Sequence, residues 1–154
     1  MQENQLDFPI DAAILTPHAR PMLAIDHVLS AEGGSGQATF SAKPDAWYMS
    51  NNGRWDEITG IELISQAAAA ISGLNLTGDA TSPPVCFLAE IRKYQVHGDF
   101  FAGDDIVINI QKDAAFGGFF ITKGTLLRNE TLLAEAELTF WREEQDKAQP
   151  KAGA

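Results

Sequence analysis

One cysteine, Cys86, stands in a chain of 154 residues, so no internal disulfide can form. The fold must therefore be held by its core alone. Cys86 sits in the apolar run "PPVCFLAEI" with no basic neighbour, which predicts a buried, inert thiol, and a reducing, cytoplasmic setting fits. Positive charge is scarce as well: 11 Lys and Arg stand against 21 Asp and Glu, for a formal net charge of −10. Binding to nucleic acid rests on basic clusters that release counterions, so this balance argues against it. No run approaches the ~18 apolar residues of a membrane span. The opening "MQENQLDFPIDAAIL" carries neither the basic n-region nor the apolar core of a secretory signal. The three histidines match no common metal-ligand spacing and no second cysteine could join them, so no metal and no cofactor are expected.

What the chain does have is apolar residues in two periods. Nearly half its residues are hydrophobic, enough for a single domain over residues 1–154, with a core at about 12–142 and a polar tail at 143–154. "RPMLAIDHVLSAEGGSGQATFSA" reads as two strands meeting at a glycine-rich turn. After "TGDATSPP" the pattern holds period two. Ile106, Ile108 and Ile110 share one face; Ala134, Ala136, Leu138 and Phe140 alternate with Glu135, Glu137, Thr139 and Trp141. Such alternation marks strands with one wet and one dry face. Between these blocks, roughly Asp56 to Leu74, lies one strongly apolar helix. The expected architecture is α+β: an antiparallel sheet of 5–6 strands wrapped around one long central helix.

That helix, "GIELISQAAAAISGL" over residues 60–74, carries two misfits. It is apolar on most of its circumference, as a buried helix is. Glu62 and Gln66 nevertheless stand four apart in the remaining stripe, one above the other. A structural reading exists, because "TGIE" at 59–62 fits a capping box in which Glu62 reaches back to Thr59. Asp56 is an equally good N-cap, and a helix begun there leaves Glu62 too deep to cap anything. Residue pattern leaves both starts open. Gln66 fits a pocket or a buried backbone group equally well.

Three blocks, in order and in register, resemble the hotdog superfamily, specifically its β-hydroxyacyl-acyl-carrier-protein dehydratases. "LTPHARPMLAIDHVL" (15–29) is similar to the family's opening L-x-P-H-x-x-P-x-L-x-x-D-x-V-L. "IELISQAAA" (61–69) resembles its helix, with a glutamate, a glutamine four residues on, and alanines. "FLAEIRKYQVHGDFFAGDDIVINI" (87–110) resembles its strand pair, with "AGD" at the family's Pro-Gly-Asp corner. The resemblance implies a hotdog fold and a homodimer, or a heterodimer with a related chain, holding an acyl thioester of carrier protein or coenzyme A. It implies that Glu62 is the acid that helps a 3-hydroxyl leave, while a histidine of the neighbouring subunit takes the C2 proton. Backbone N–H groups at the helix start are expected to polarise the thioester carbonyl. Gln66, Gly60, Trp55 and Ile58 are the candidate substrate contacts, and Gly60 also allows close approach.

The family's catalytic histidine does not survive here. At its spacing from Glu62 stands Tyr48, and the flanking prolines are gone. A tyrosine, with an ordinary pKa about 3.5 units above that of histidine, is no ready base at neutral pH. Tyr48 remains a candidate catalytic residue as a hydrogen-bond donor to a carbonyl or hydroxyl, with packing at the dimer interface the structural alternative. In this the chain is similar to the histidine-lacking dehydratase-like proteins of aryl-polyene pathways. Three functions follow: a divergent dehydratase or a chain of one, a partner subunit without its own base, or an acyl thioesterase using Glu62. An acidic carrier protein would need a basic patch, for which Arg20, Lys43 and Arg54 are candidates. Arg92 and Lys93, adjacent on one strand, should point to opposite faces.

Overall fold

The computed structural model describes residues 6–74 and 86–143. The expected turn at 77–84 and the tail from residue 144 lie outside the described residues. Seven strands and one long helix make up the rest: β1 (Ile10–Asp11), β2 (His27–Glu32), β3 (Ser35–Ser41), α1 (Thr59–Leu74), β4 (Cys86–Val96), β5 (Asp105–Phe116), β6 (Phe119–Arg128) and β7 (Thr131–Arg142), with a short 3₁₀ turn at Ala12–Ile14. The strands form one antiparallel sheet in the order β1-β2-β3-β5-β6-β7-β4. The count exceeds the expected 5–6 because the two-residue β1 pairs with β2, too short a segment to show a period of its own.

Period two does set the layers. Ile106, Ile108 and Ile110 of β5, and Ala134, Ala136, Leu138 and Phe140 of β7, are buried on the face toward α1. The β5–β6 and β6–β7 connections are two-residue turns whose central residues both have positive φ: Gly117 and Gly118 (54° and 85°), then Asn129 and Glu130 (48° and 68°). That geometry matches the twist of the flanking strands. On α1, Leu63, Ile64, Ala67, Ala70 and Ile71 are fully buried. Gly124 of β6 gives Ile64 its seat, since a Cβ there would collide with the Ile64 side chain.

Two local expectations are corrected. The helix begins at Thr59, not near Asp56. The amides of Thr59, Gly60 and Ile61 donate to the carbonyls of Asp56, Glu57 and Ile58 at 3.0, 3.1 and 3.1 Å, an i→i−3 lead-in. Asp56 does cap, but it caps that turn, its Oδ1 accepting from the Ile58 amide at 3.1 Å. Arg92 and Lys93 do not face opposite ways. The register slips between Ile91 and Lys93, and both side chains reach the outer face of β7, Arg92 to Glu137 (3.5 Å) and Lys93 to Glu135 (2.9 Å). A bulge breaks strict alternation in this way.

The helix covers the sheet unevenly. It packs chiefly on β2, β3, β5 and β6, and much less on β4 and β7. Among the described residues β4 is the last strand of the sheet, 11 residues long and paired on one side only. Its inward residues Leu88 and Ile91, opposite Phe140 and Leu138, are 41% and 48% exposed.

Candidate functional site

The site is built around the Gln66 side chain, which is 1% exposed and uses its full hydrogen-bonding capacity. Its Oε1 accepts from the amides of Ala24 (2.8 Å) and Ile25 (3.4 Å). Its Nε2 donates to the Met22 carbonyl and to Glu62 Oε1, each at 2.9 Å. The two backbone donors fix which end of the amide is oxygen, so the end facing Glu62 is necessarily NH₂. Gln66 thus ties the segment Met22–Ile25 to the helix and holds one carboxylate oxygen of Glu62. The bonds are those of the backbone-binding reading; with 1% exposure and no free donor or acceptor, Gln66 acts on this surface only through Glu62.

Glu62 lies in the first turn of α1 and is half-buried. Its recorded partner is Gln66, not Thr59, whose own amide is taken by Asp56, so the capping-box reading fails. Around it the surface is apolar yet exposed. Ile58, one turn before Glu62, is 67% exposed; Met22, whose carbonyl shares the Gln66 amide, is 50% exposed. Trp47, anchored by its indole N–H to the Pro21 carbonyl at 2.9 Å, is 44% exposed. Ile61, Ser65 and Ala69 continue the open stripe along α1. A carboxylate set among exposed large apolar side chains marks a surface that meets something apolar.

The remaining candidates divide. Ile58 lies on this surface. Gly60 is buried behind it, where a Cβ would run into the Tyr94 hydroxyl; that hydroxyl donates to the Glu57 carbonyl, and burial beside Glu57 and Asp56 pushes its pKa up to about 12. Trp55 is a core residue, 2% exposed, stacked on Phe100 with ring centroids 3.9 Å apart. Its indole N–H donates to Asp104 Oδ2 at 3.1 Å. Tyr48 is also in the core, 5% exposed, with edge contacts to Phe40 and Trp47. Its oxygen accepts from the Lys43 amide at 2.9 Å and lies 3.5 Å from the Ser41 carbonyl. Burial raises its pKa, with Asp26 adding to the rise against the Lys43 hydrogen bond and Arg20.

All three histidines are exposed, and each belongs to another element or loop. His97 Nε2 lies 3.8 Å from Glu135, and the His27 amide donates to Thr39 Oγ1 at 3.2 Å. The amides expected to polarise a thioester carbonyl at the helix start are consumed by the lead-in turn described above. Cys86 is exposed as the first residue of β4, correcting the expectation of burial, although partial shelter raises its thiol pKa. Among the expected basic residues, Arg20 and Lys43 do converge, both 3.8 Å from Asp26, whereas Arg54 pairs separately with Asp99 at 3.2 Å.

Sequence reasoning passed over Asp104, the aspartate of the "AGD" corner. Only 7% exposed, it gathers the Trp55 indole, the Phe101 amide (2.7 Å) and Arg128 (3.1 Å). The corner motif could have pointed to it. Met22 and Tyr94 carried no such signal.

A family model for ApeP-like proteins, described as ApeP dehydratase, matches residues 10–151. Among solved structures, the dehydratase heterocomplex ApeI:P from Xenorhabdus doucetiae is similar with a TM-score of 0.80 at 16% identity, over 91% of this chain and 94% of that one. An acetyl-CoA-bound protein of Streptococcus mutans gives 0.64 at 16% identity, over 83% and 95%. The PaaI protein from the phenylacetic acid degradation operon of E. coli gives 0.61 at 14% identity, over 77% and 79%. No curated protein matches by sequence. These structures share the hotdog fold expected from the sequence. Among the described residues no helix is long and apolar enough to cross a membrane.

Proposed function

The chain belongs to the ApeP-like dehydratase family, and from that premise we propose that it is one half of a two-chain β-hydroxyacyl thioester dehydratase. Glu62 supplies the acid, and a related, histidine-bearing hotdog chain supplies the base. The observation that carries this reading is the Gln66–Glu62 hydrogen bond on an uncovered apolar face. Gln66 occupies Oε1, which leaves Oε2 as the oxygen that can carry and deliver a proton. Elimination needs two proton transfers: the C2 proton goes to a base, and a proton from Glu62 goes to the C3 hydroxyl, which departs as water. The product is a trans-2-enoyl thioester. Among the described residues this chain offers a carboxylate for the second transfer but no base and no free helix-start amides for the carbonyl, which supports a site completed by a partner. The dehydratase heterocomplex that shares its fold is composed of two proteins.

The substrate is an acyl thioester of a carrier protein or of coenzyme A, and the reaction needs no cofactor. The setting is cytoplasmic. A homodimer would assemble the face without supplying the base; a heterodimer would do both.

The test incubates the purified chain with a 3-hydroxyacyl thioester, alone and with a histidine-bearing homologue, following enoyl absorbance and thiol release in parallel. Enoyl product is expected only in the mixture, and Glu62→Gln is expected to reduce it by about 10²-fold or more. Enoyl formation by the chain alone would overturn the half-site reading. Thiol release alone, lost in Glu62→Gln, would establish the thioesterase instead.

A further inference from the structure

At the end of the sheet remote from Glu62, the β5–β6 turn closes over the last residues of β7. The turn is pinned there, the Arg142 amide donating to the Gly118 carbonyl at 2.9 Å. A cavity of about 280 Å³ opens between them, lined by Lys112, Phe116, Gly117, Phe119, Phe120 and Arg142 among others. It is separate from the Glu62 site: Phe120 lies four residues along β6 from the Gly124 seat of Ile64, about 13 Å away.

The charges in it are anomalous for this protein. Nine of the 11 Lys and Arg lie in the described residues. Seven of them, Arg20, Lys43, Arg54, Arg92, Lys93, Lys123 and Arg128, sit within 4.0 Å of a carboxylate. The two with no such partner among the described residues are Lys112 and Arg142, and both converge on one ring. Lys112 Nζ lies 6.0 Å, and the Arg142 guanidinium carbon 5.5 Å, from the Phe120 centroid. Arg142 Nε is buried with no hydrogen-bond partner among the described residues. A buried N–H left unpaired is costly, and an acceptor arriving in the cavity removes that cost. In a chain with a net charge of −10, these are the two cations that have no carboxylate within 4.0 Å among the described residues, and they share one ring.

We propose that this cavity binds a phosphate monoester joined to a flat or apolar body. Two cations and a directed N–H match a group of about −1.5 to −2 charge with several acceptor oxygens. A carboxylate would leave one cation unmatched. Phe116, 65% exposed, and Phe119, 38% exposed, stand beside the cations and offer faces to the body of the ligand. The assignment stands apart from the dehydratase reading, since none of its residues touches Glu62 or Gln66.

Calorimetric titration of the full chain with phenyl phosphate, inorganic phosphate and benzoate tests it. Phenyl phosphate should bind most tightly, inorganic phosphate more weakly for want of the ring, and benzoate most weakly for want of charge. Lys112→Met and Arg142→Met should each weaken phenyl phosphate by about tenfold, with melting temperatures recorded to show that both variants fold. No binding of any probe, or equal binding by folded variants, would overturn the assignment. Adenosine 3′,5′-bisphosphate then separates the sources. Tighter binding than phenyl phosphate, lost in the same variants, indicates the nucleotide of a coenzyme; weaker binding indicates a free phosphorylated metabolite. Because enoyl formation is not read in this experiment, its failure leaves the dehydratase reading untouched.

Discussion

By the sequence resemblance Tyr48 stands at the position of the dehydratases' base, and its surroundings argue against its serving as one. The hydroxyl is held by the Lys43 amide and faces the Ser41 carbonyl, inside a cluster with Phe40 and Trp47. Burial pushes its pKa up from an already high value, so at neutral pH it holds its proton. Tyr48→Phe is therefore expected to leave partner-dependent enoyl formation within about twofold, while costing about 1 kcal/mol of stability through the lost hydrogen bond. Enoyl kinetics of the mixture, beside urea denaturation of the single chain, check both. A large drop in rate from a fully folded variant would make Tyr48 a catalytic residue after all. The Glu62–Gln66 pair was visible in the sequence because spacing four along a helix dictates contact. The other three hydrogen bonds of Gln66 were not, because they join it to Met22–Ile25, some forty residues earlier, and no local pattern encodes that distance.

At the scale of the element, α1 is positioned by what its neighbours omit. Gly124 of β6 gives Ile64 its place, and Gly60 gives the Tyr94 ring its own. Gly124→Ala gains a little strand stiffness, about 0.5–1 kcal/mol, but drives a methyl into a fully buried side chain, which costs about 1–3 kcal/mol. The collision outweighs the gain over most of these ranges, so a net loss of up to about 2.5 kcal/mol is expected by urea denaturation. In the double variant with Ile64→Ala the Gly124→Ala penalty should largely vanish, because the opposing atoms are gone. Additive losses would show that Ile64 is not what the new methyl meets. The sheet faces were legible because burial repeats every second residue in β5 and β7. The helix start was not, since Asp56 is a true cap, but of a tighter turn that precedes the helix. Nor was the slip at Ile91, because a bulge leaves no mark in the alternation of side chains it interrupts.

For the whole molecule, the question is what covers the side that α1 leaves open. Among the described residues β4 ends the sheet with 11 residues, one edge unpaired and large apolar side chains exposed. An edge of that length with free backbone donors and acceptors is a template for another strand. Charge does not oppose this locally. Arg92 and Lys93 of β4 are already balanced by Glu137 and Glu135 of β7, so the edge is near neutral although the chain carries −10. A second hotdog chain laid along β4 would bury Leu88 and Ile91 and close over the stripe Ile58, Ile61 and Ala69, enclosing Glu62 beneath it. Ile91→Lys places a charge in that seam at a position 48% exposed in the single chain. Folding is therefore expected to change little, while association, with itself or with the histidine-bearing homologue, weakens by about tenfold or more, as a desolvated charge at an apolar interface requires. Sedimentation velocity on the variant, with its melting curve as control, reads both quantities. Unchanged association in a folded variant would place the partner on another face and leave Glu62 open to water, contrary to the two-chain site proposed above.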